Sequence, residues 1–271
     1  MVERMLPQID RTKDEVILLF TDTLIEDEDL YRVLDQSEAY FGIPITRLAD
    51  GRDPWQVFYG EKIMGNTRRD PCSKILKRKI ADKWMKEHCV PEETIIYLGI
   101  DWTERHRLVG DPARGTGGAR GRFAEAGWPN VEAPLCDPPY VSKSWVLGKM
   151  EQAGITRSRA YAQGFAHDNC GGFCVKAGIA HFKLLLEHRR ERYLEHEQKE
   201  QDFIAWQANR GYVSQTILRD RRGGTTTDLS LRALRHRIEG DGEPLTEAEE
   251  MEHGGCGCFV DIDDPEAEAL I

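Results

Sequence analysis

Two tight cysteine pairs are the residues in this chain best suited to chemistry. Cys170 and Cys174 stand in "AHDNCGGFC", and Cys256 and Cys258 in "EHGGCGCF". Glycines around both pairs let the backbone turn and aim both thiols the same way. Brought together by the fold, the two pairs supply the four thiolates that an iron–sulfur cluster or a tetrahedral Zn²⁺ needs. His167 and His253 lie near enough in sequence to substitute for a thiolate. A structural zinc that only pins the tail is the plain alternative to a redox or sulfur-handling centre.

Other side chains are weaker candidates. Cys72 precedes a basic helical stretch and has Lys74, Lys77 and Arg78 close by, which favours a reactive thiolate; a small buried residue is the competing reading. Glu104, with Arg105 and Arg107, suits anion binding or acid–base work, and equally a solvated loop. Arg114, Arg120 and Arg122 in a Gly-rich stretch, and Arg219, Arg221 and Arg222 in another, could clamp phosphates or nucleic acid. Such clusters are more often solvated surface. Cys89 and Cys136 read as structural.

The elements that must position these residues come from a chain of 271 residues, 40% hydrophobic and 31% charged, enough for one buried core with a helical appendage. Twelve acidic and no Lys/Arg residues follow from Glu239 onward. The preceding part holds 37 basic and 35 acidic residues, so the net −10 resides in the tail. No apolar run approaches the ~18 residues of a membrane span, and the charged N-terminus lacks a signal-peptide core. The expectation is a cytoplasmic protein with no membrane contact, whose seven cysteines serve as ligands, reactive thiols or buried apolar residues rather than disulfides.

Residues 15–22 predict a buried parallel strand, 26–42 a helix ending at Gly42, and 44–50 a short strand. Residues 51–70 read as a loop, 73–88 as a basic amphipathic helix and 93–101 as a second buried strand. A mobile loop is expected over 110–127 and a helix over 142–155. One long helix, or two, runs from 175 to Gly211, with apolar residues such as Ile179, Phe182 and Trp206 suited to core contacts or a homodimer face. A basic turn and a helix capped by Asp228 follow. Alternating strands and helices predict an α/β sheet with right-handed crossovers.

Several local patterns occur in one order: "FTDT" with "EDEDLYRVLD", then "RDPCSKILKRK", "YLGIDWTERHR", "APLCDPP", "SWVLGKMEQAGI" and "RAYAQGFAHDNCGGFC". Over about residues 15–180 this series resembles the phosphoadenosine phosphosulfate (PAPS) reductase family, in its bacterial and phage members. That family belongs to the PP-loop group of adenine nucleotide alpha-hydrolase-like folds. The resemblance implies a three-layer α/β parallel-sheet domain over 1–175 and a helical C-terminal extension over 176–271 carrying the Cys-x-Cys tail. It implies ATP or a PAPS-like adenine nucleotide as ligand, with Asp22 and Thr23 beside it at a strand's carboxyl end. Lys77, Arg78 and Arg107 would hold anionic groups, and Cys72 and Glu104 would take part in catalysis. Cys170 and Cys174 would sit at a 4Fe–4S site, with Zn²⁺ as the alternative metal, and Cys256 and Cys258 would complete it. A sulfur donor or a reductant protein is the implied partner.

The sequence also departs from that family. The Ser-Gly-Gly-x-x-Ser turn that cradles phosphate is not present. "MVERMLPQ" reads as the end of the family's first helix, which would place the first strand and phosphate loop upstream of Met1, unless the loop has been lost. "GTGGARG" (115–121) is Gly-rich but follows no strand. Cys72 is followed by Ser73, the later pair is C-x-x-x-C, and the Glu-Cys-Gly of thioredoxin-dependent PAPS reduction is not found. The expectation therefore shifts from PAPS reduction to a related sulfur transfer or adenylation. Two alternatives stand beside it. One is a catalytically inactive, metal-stabilised binding subunit for nucleic acid or a partner protein. The other is a nucleic-acid sulfur-modifying enzyme.

Overall fold

The apolar run at 15–22 does pair, and its partner is the short stretch at 44–50. The computed structural model describes residues 1–66, 69–111, 117–240 and 244–254. In it, β1 (Leu18–Asp22) runs parallel to β2 (Ile45–Ala49), with Leu18 opposite Ile45 and Asp22 opposite Ala49. A parallel pair needs a crossover. Here it is helix α2 (Glu28–Phe41), which follows the N-terminal helical turn α1 (Val2–Met5) in the chain. The Asp27 side chain accepts the Asp29 N–H at its start, and Gly42 closes it in the left-handed region.

The expected loop at 51–70 contains a helix, α3 (Pro54–Glu61). Asp53 and Gln56 form a reciprocal capping box, and Pro54 opens the first turn without losing a needed N–H. The basic helix starts earlier than expected. Pro71–Ser73, a π-helical stretch Lys74–Lys79 and Ile80–His88 run on as one element, α4. The wider π turn belongs to the segment that buries Ile75, Leu76 and Lys77.

The second strand is much shorter than its apolar run. β3 (Ile96–Tyr97) pairs in parallel with β4 (Val131–Glu132). Between them lie α5 (Arg105–Val109) and α6 (Gly118–Glu125), so part of the expected mobile loop is helical. Gly118 has φ +60 and a Cβ there would meet Leu108 and Gly110 backbone, which fixes glycine at that approach. Helices α7 (Lys143–Gln152) and α8 (Arg159–Ala162) lead to the first cysteine pair.

Beyond it the long helix divides at Arg189 (φ −142, ψ 53) into α9 (Ile179–His188) and α10 (Arg190–Ala208). The expected basic turn is an antiparallel hairpin, β5 (Leu218–Asp220) with β6 (Thr227–Leu229). Asp228 is a strand residue paired with Arg219, so Ser230 caps α11 (Leu231–Ile238) instead. Helix α12 (Glu247–Glu250) is the last helix among the described residues.

The architecture is mixed α/β. Among the described residues each sheet has two strands, so the wide parallel sheet that was expected is not formed by them. The largest core cluster spans both sides of residue 175. Trp55, Phe58 and Phe173 pack with Phe182, Tyr193 and Phe203. A smaller cluster around Ile100, Leu108 and Val131 supports β3 and β4. Among the described residues no helix is long and apolar enough to cross a membrane.

Candidate functional site

The site begins at the carboxyl end of β1. Asp22 accepts the Leu24 N–H at 2.7 Å and the Tyr31 hydroxyl at 2.8 Å, which holds Leu24 in the left-handed region (φ 63) and turns the chain sharply. That turn buries Thr23 and swings Glu26 inward beneath it. Glu26 accepts the Thr23 hydroxyl at 2.8 Å and the Cys170 backbone N–H at 2.6 Å. The Thr23 oxygen lies 3.8 Å from the Cys170 sulfur. Burial pushes the Glu26 carboxyl up, against the opposing pull of Lys77 and the two hydrogen bonds.

Cys170, Gly171 and Gly172 all have positive φ (53, 59 and 89). For cysteine this conformation costs about 1–2 kcal/mol and persists only where the surroundings over-determine it. Here they do. Arg192 donates to the Cys170 carbonyl at 3.3 Å, Arg189 to that of Gly171 at 2.9 Å and His181 Nε2 to that of Gly172 at 2.9 Å. The last bond makes Nε2 the protonated nitrogen of His181. A side chain at Gly171 would meet an Arg192 nitrogen at 2.3 Å and the Ile25 carbonyl at 2.8 Å. Gly171→Ala should therefore cost at least about 2 kcal/mol and misplace the Cys170 sulfur. Urea denaturation checks the first, and thiol reactivity of Cys170 the second. A variant with native stability and native reactivity would contradict this account of the turn.

This turn faces the start of α4 across a small cavity of about 20 Å³. Three cysteines line it, Cys72 from α4 and Cys170 and Cys174 from the turn, together with Thr23, Lys77, Asp70 and Lys176. Cys170 and Cys174 are buried, whereas Cys72 is only partly so. Lys77 is 7% exposed, which is rare for lysine unless charge or a ligand compensates it. Lys176 and Arg78 flank Asp70 at 4.0 and 3.9 Å. Three thiols and two lysines around one cavity are the residue types that soft metal ligation or sulfur chemistry uses. Among the described residues no three His, Cys, Asp or Glu side chains complete a metal site by themselves.

Of the residues singled out from sequence, the cavity brings together Thr23, Cys72, Lys77, Cys170 and Cys174. Asp22 shapes the turn behind it, and Arg78 reaches it through Asp70. Glu104 and Arg107 pair with each other after β3 and are not among the lining residues. Cys136 is buried in the smaller core cluster, with its thiol 3.3 Å from the Ile100 carbonyl. Cys256, Cys258 and Arg114 lie outside the described residues. The tail does return to the first cysteine pair, because Gly254 bridges Ala177 in antiparallel fashion, three residues beyond Cys174. Arg219, Arg221 and Arg222 each pair with a carboxylate, of Asp228, Glu252 and Glu249.

Sequence reasoning missed Glu26, Asp70 and Lys176. Glu26 was one of several acids at a helix start, and nothing local marks which acid turns inward. Asp70 stands before Pro71 and Cys72, and an acid preceding a helix-opening proline was its one readable signal. Compared with known proteins, the chain matches no protein-family model, no curated protein and no solved structure.

Proposed function

We propose that this chain is a PAPS-reductase-like protein that binds an adenine nucleotide and acts in sulfur transfer or reduction, or in ATP-dependent adenylation of an acceptor. The observation that carries this reading is the meeting of Cys72, Cys170 and Cys174 with Thr23 and Lys77 at the carboxyl end of a parallel strand. Ligands of open α/β sheets bind at that end. The same fold reading calls for one three-layer parallel sheet.

Buried Cys170 and Cys174 supply part of the donor set that a thiolate-ligated group would need. Cys170 and Cys174, buried on a turn fixed at three successive carbonyls, would hold it with Cys256 and Cys258 from the tail. When bound, a 4Fe–4S cluster supplies electron transfer or sulfur handling, and Zn²⁺ in its place supplies structure. Cys72 is the accessible thiol of the set, and its place in the first turn of α4 suits a nucleophile. Lys77 would neutralise anionic groups of the nucleotide or of the sulfur donor. Thr23 and Glu26 keep the Cys170 N–H and sulfur in place. Glu104 and Arg107 would serve the acceptor side.

Binding of ATP, PAPS and adenylyl sulfate to the purified full chain, measured by calorimetry, tests the reading. At least one should bind, and Lys77→Gln should weaken it about tenfold or more, the effect of losing one charge-assisted contact of about 1.5–3 kcal/mol. Failure of all three nucleotides to bind metal-replete protein would sink the proposal.

A further inference from the structure

Large aromatic rings gain from burial, yet three of them stand in solvent on two short segments. Trp102, Tyr140 and Trp145 are 44%, 57% and 52% exposed. The segments meet. The Trp102 and Tyr140 rings lie 5.5 Å apart at a tilt of 41°, and the Trp102 indole N–H donates to the Val141 carbonyl at 3.0 Å. Trp145 follows in the first turn of α7, where its N–H donates to the Ser142 hydroxyl at 3.2 Å.

The backbone beneath these rings is held. Asp101 caps the turn that carries Trp102 and accepts the Thr103 N–H at 2.8 Å. Arg4 braces the second segment by donating to the carbonyls of Asp137, Pro138 and Pro139 at 2.9, 2.6 and 3.2 Å. Lys143 donates to the Ala166 carbonyl at 2.5 Å and so ties down the start of α7. A platform that is ordered in advance loses little freedom when a ligand settles on it.

The surroundings of the rings decide what that ligand is. Thr103, Arg105, Ser142, Lys143 and Ser144 are exposed between and beside them. A protein interface gathers apolar residues at its centre and keeps charge to its rim. Here hydroxyls and cations alternate with the rings. Among the described residues Arg105, Lys143 and Lys149 have no carboxylate partner, and the Lys149 ammonium lies 5.5 Å from the Trp145 ring centre. The nearby acids are largely engaged, Asp101 by the Thr103 N–H and hydroxyl and Glu104 by Arg107, with Asp137 exposed. The arginines of the β5–β6 hairpin, by contrast, each meet an acid. Unpaired bases stack on exposed rings, and their phosphates need cations close by.

We infer that Trp102, Tyr140 and Trp145, with Arg105 and Lys149 beside them, form a binding platform for single-stranded nucleic acid. None of the five lines the cysteine cavity, so the platform stands apart from the adenine-nucleotide reading of that cavity.

The test uses the full chain with fluorescein-labelled oligo(dT) and oligo(U) of about 16 nucleotides, the upper site size of one single-strand module. A duplex of the same length is the control. Fluorescence anisotropy should show saturable binding of at least one single strand and weaker binding of the duplex, whose base faces are already stacked. Tyr140→Ala and Trp145→Ala should each weaken binding about fivefold or more, and Tyr140→Phe, which keeps the ring, should restore most of it. Arg105→Gln with Lys149→Gln should lower the slope of log affinity against log salt by about 1.4, two phosphate contacts at ~0.7 each. If Tyr140→Ala does not fold, Trp145→Ala and the double glutamine variant carry the same readouts. Absence of binding, duplex bound as tightly as single strand, or affinity unchanged by the ring variants overturns the inference. Absence of binding together with self-association that Tyr140→Ala abolishes in sedimentation would make the platform a protein interface instead. Calorimetry with ATP, PAPS and adenylyl sulfate should give the wild-type result in every variant, so a failure of the platform and a failure of the nucleotide site are seen separately.

Discussion

Phe173→Ala is expected to destabilise the protein by about 3–5 kcal/mol, a large share of the ~5–15 kcal/mol that holds a typical domain together. Phe173 is 1% exposed and lies between the two cysteines of the first pair. Its ring stacks on His196 at 3.7 Å and on Trp55 at 5.5 Å, and meets Phe182 edge-on at 6.0 Å. These partners come from α3, α9 and α10, so one ring joins the first part of the chain to the helical extension. Alanine removes the transfer energy of the ring and leaves a void that three fixed elements cannot close. Phe173→Leu keeps most of the volume and should cost less than half as much. Urea denaturation of the three proteins provides the comparison. A loss below about 1 kcal/mol in the alanine variant would show that the extension does not share this core.

The second large effect is acid lability. His196 is 2% exposed, and its Nδ1 accepts the Trp55 indole N–H at 2.9 Å. Burial, followed by the charges of Arg192 and Lys199, holds its pKa well below the ordinary histidine value of 6.5. The folded protein therefore keeps His196 neutral, while the unfolded chain takes up a proton below about pH 6.5. The stabilisation is complete above pH 6.5. It is lost as pH falls toward the folded-state value, by up to about 1.4 kcal/mol per pH unit. His181, buried and lowered to about 3 first by desolvation, acts in the same direction.

Glu200 acts in the opposite direction. Its carboxyl is buried and raised to about 7, chiefly by desolvation, although it accepts the N–H groups of Ile217 and Leu231. That contribution is present below about pH 4.5 and is lost as pH rises through 7. A difference measurement separates the terms. His196→Asn keeps an acceptor for Trp55 but does not titrate. The stability gap between wild type and this variant should narrow steadily from pH 6.5 to pH 4. A gap that stays constant over that range would mean His196 is not held neutral.

Much of this was readable from residue order. The run at 15–22 and its partner at 44–50 announced a parallel pair through length and β-branched or aromatic content. The cysteine pair at 170 and 174 announced a turn through its flanking glycines. Helix α3 was readable too, since Asp53, Pro54 and Gln56 form a complete start signal, although 51–70 reads as a loop in the sequence analysis. Other features depend on tertiary contacts. Nothing near Arg189 breaks a helix, and the interruption falls where its guanidinium reaches buried Asp27 at 2.6 Å. Asp228 and Ser230 are both good caps, and the choice between them was made by the hairpin. Cys72 joins Cys170 and Cys174 only because β1, α4 and the glycine turn converge, and local sequence does not encode that convergence. The same holds for Glu26, whose burial follows from a left-handed Leu24.

The measurement that bears most directly on the thiol centre is metal content with absorption spectroscopy. It would be made on anaerobically purified full-length wild type, Cys170→Ser, Cys174→Ser and Cys89→Ser. The proposed thiol centre predicts a thiolate-ligated metal in the wild type, about four irons or one zinc per chain. Either cavity variant should lose it, and Cys89→Ser should retain it, because Cys89 is not among the cavity-lining residues. Wild-type protein without metal, or metal that survives the loss of Cys170 and of Cys174, would contradict the reading of this cavity as a metal centre.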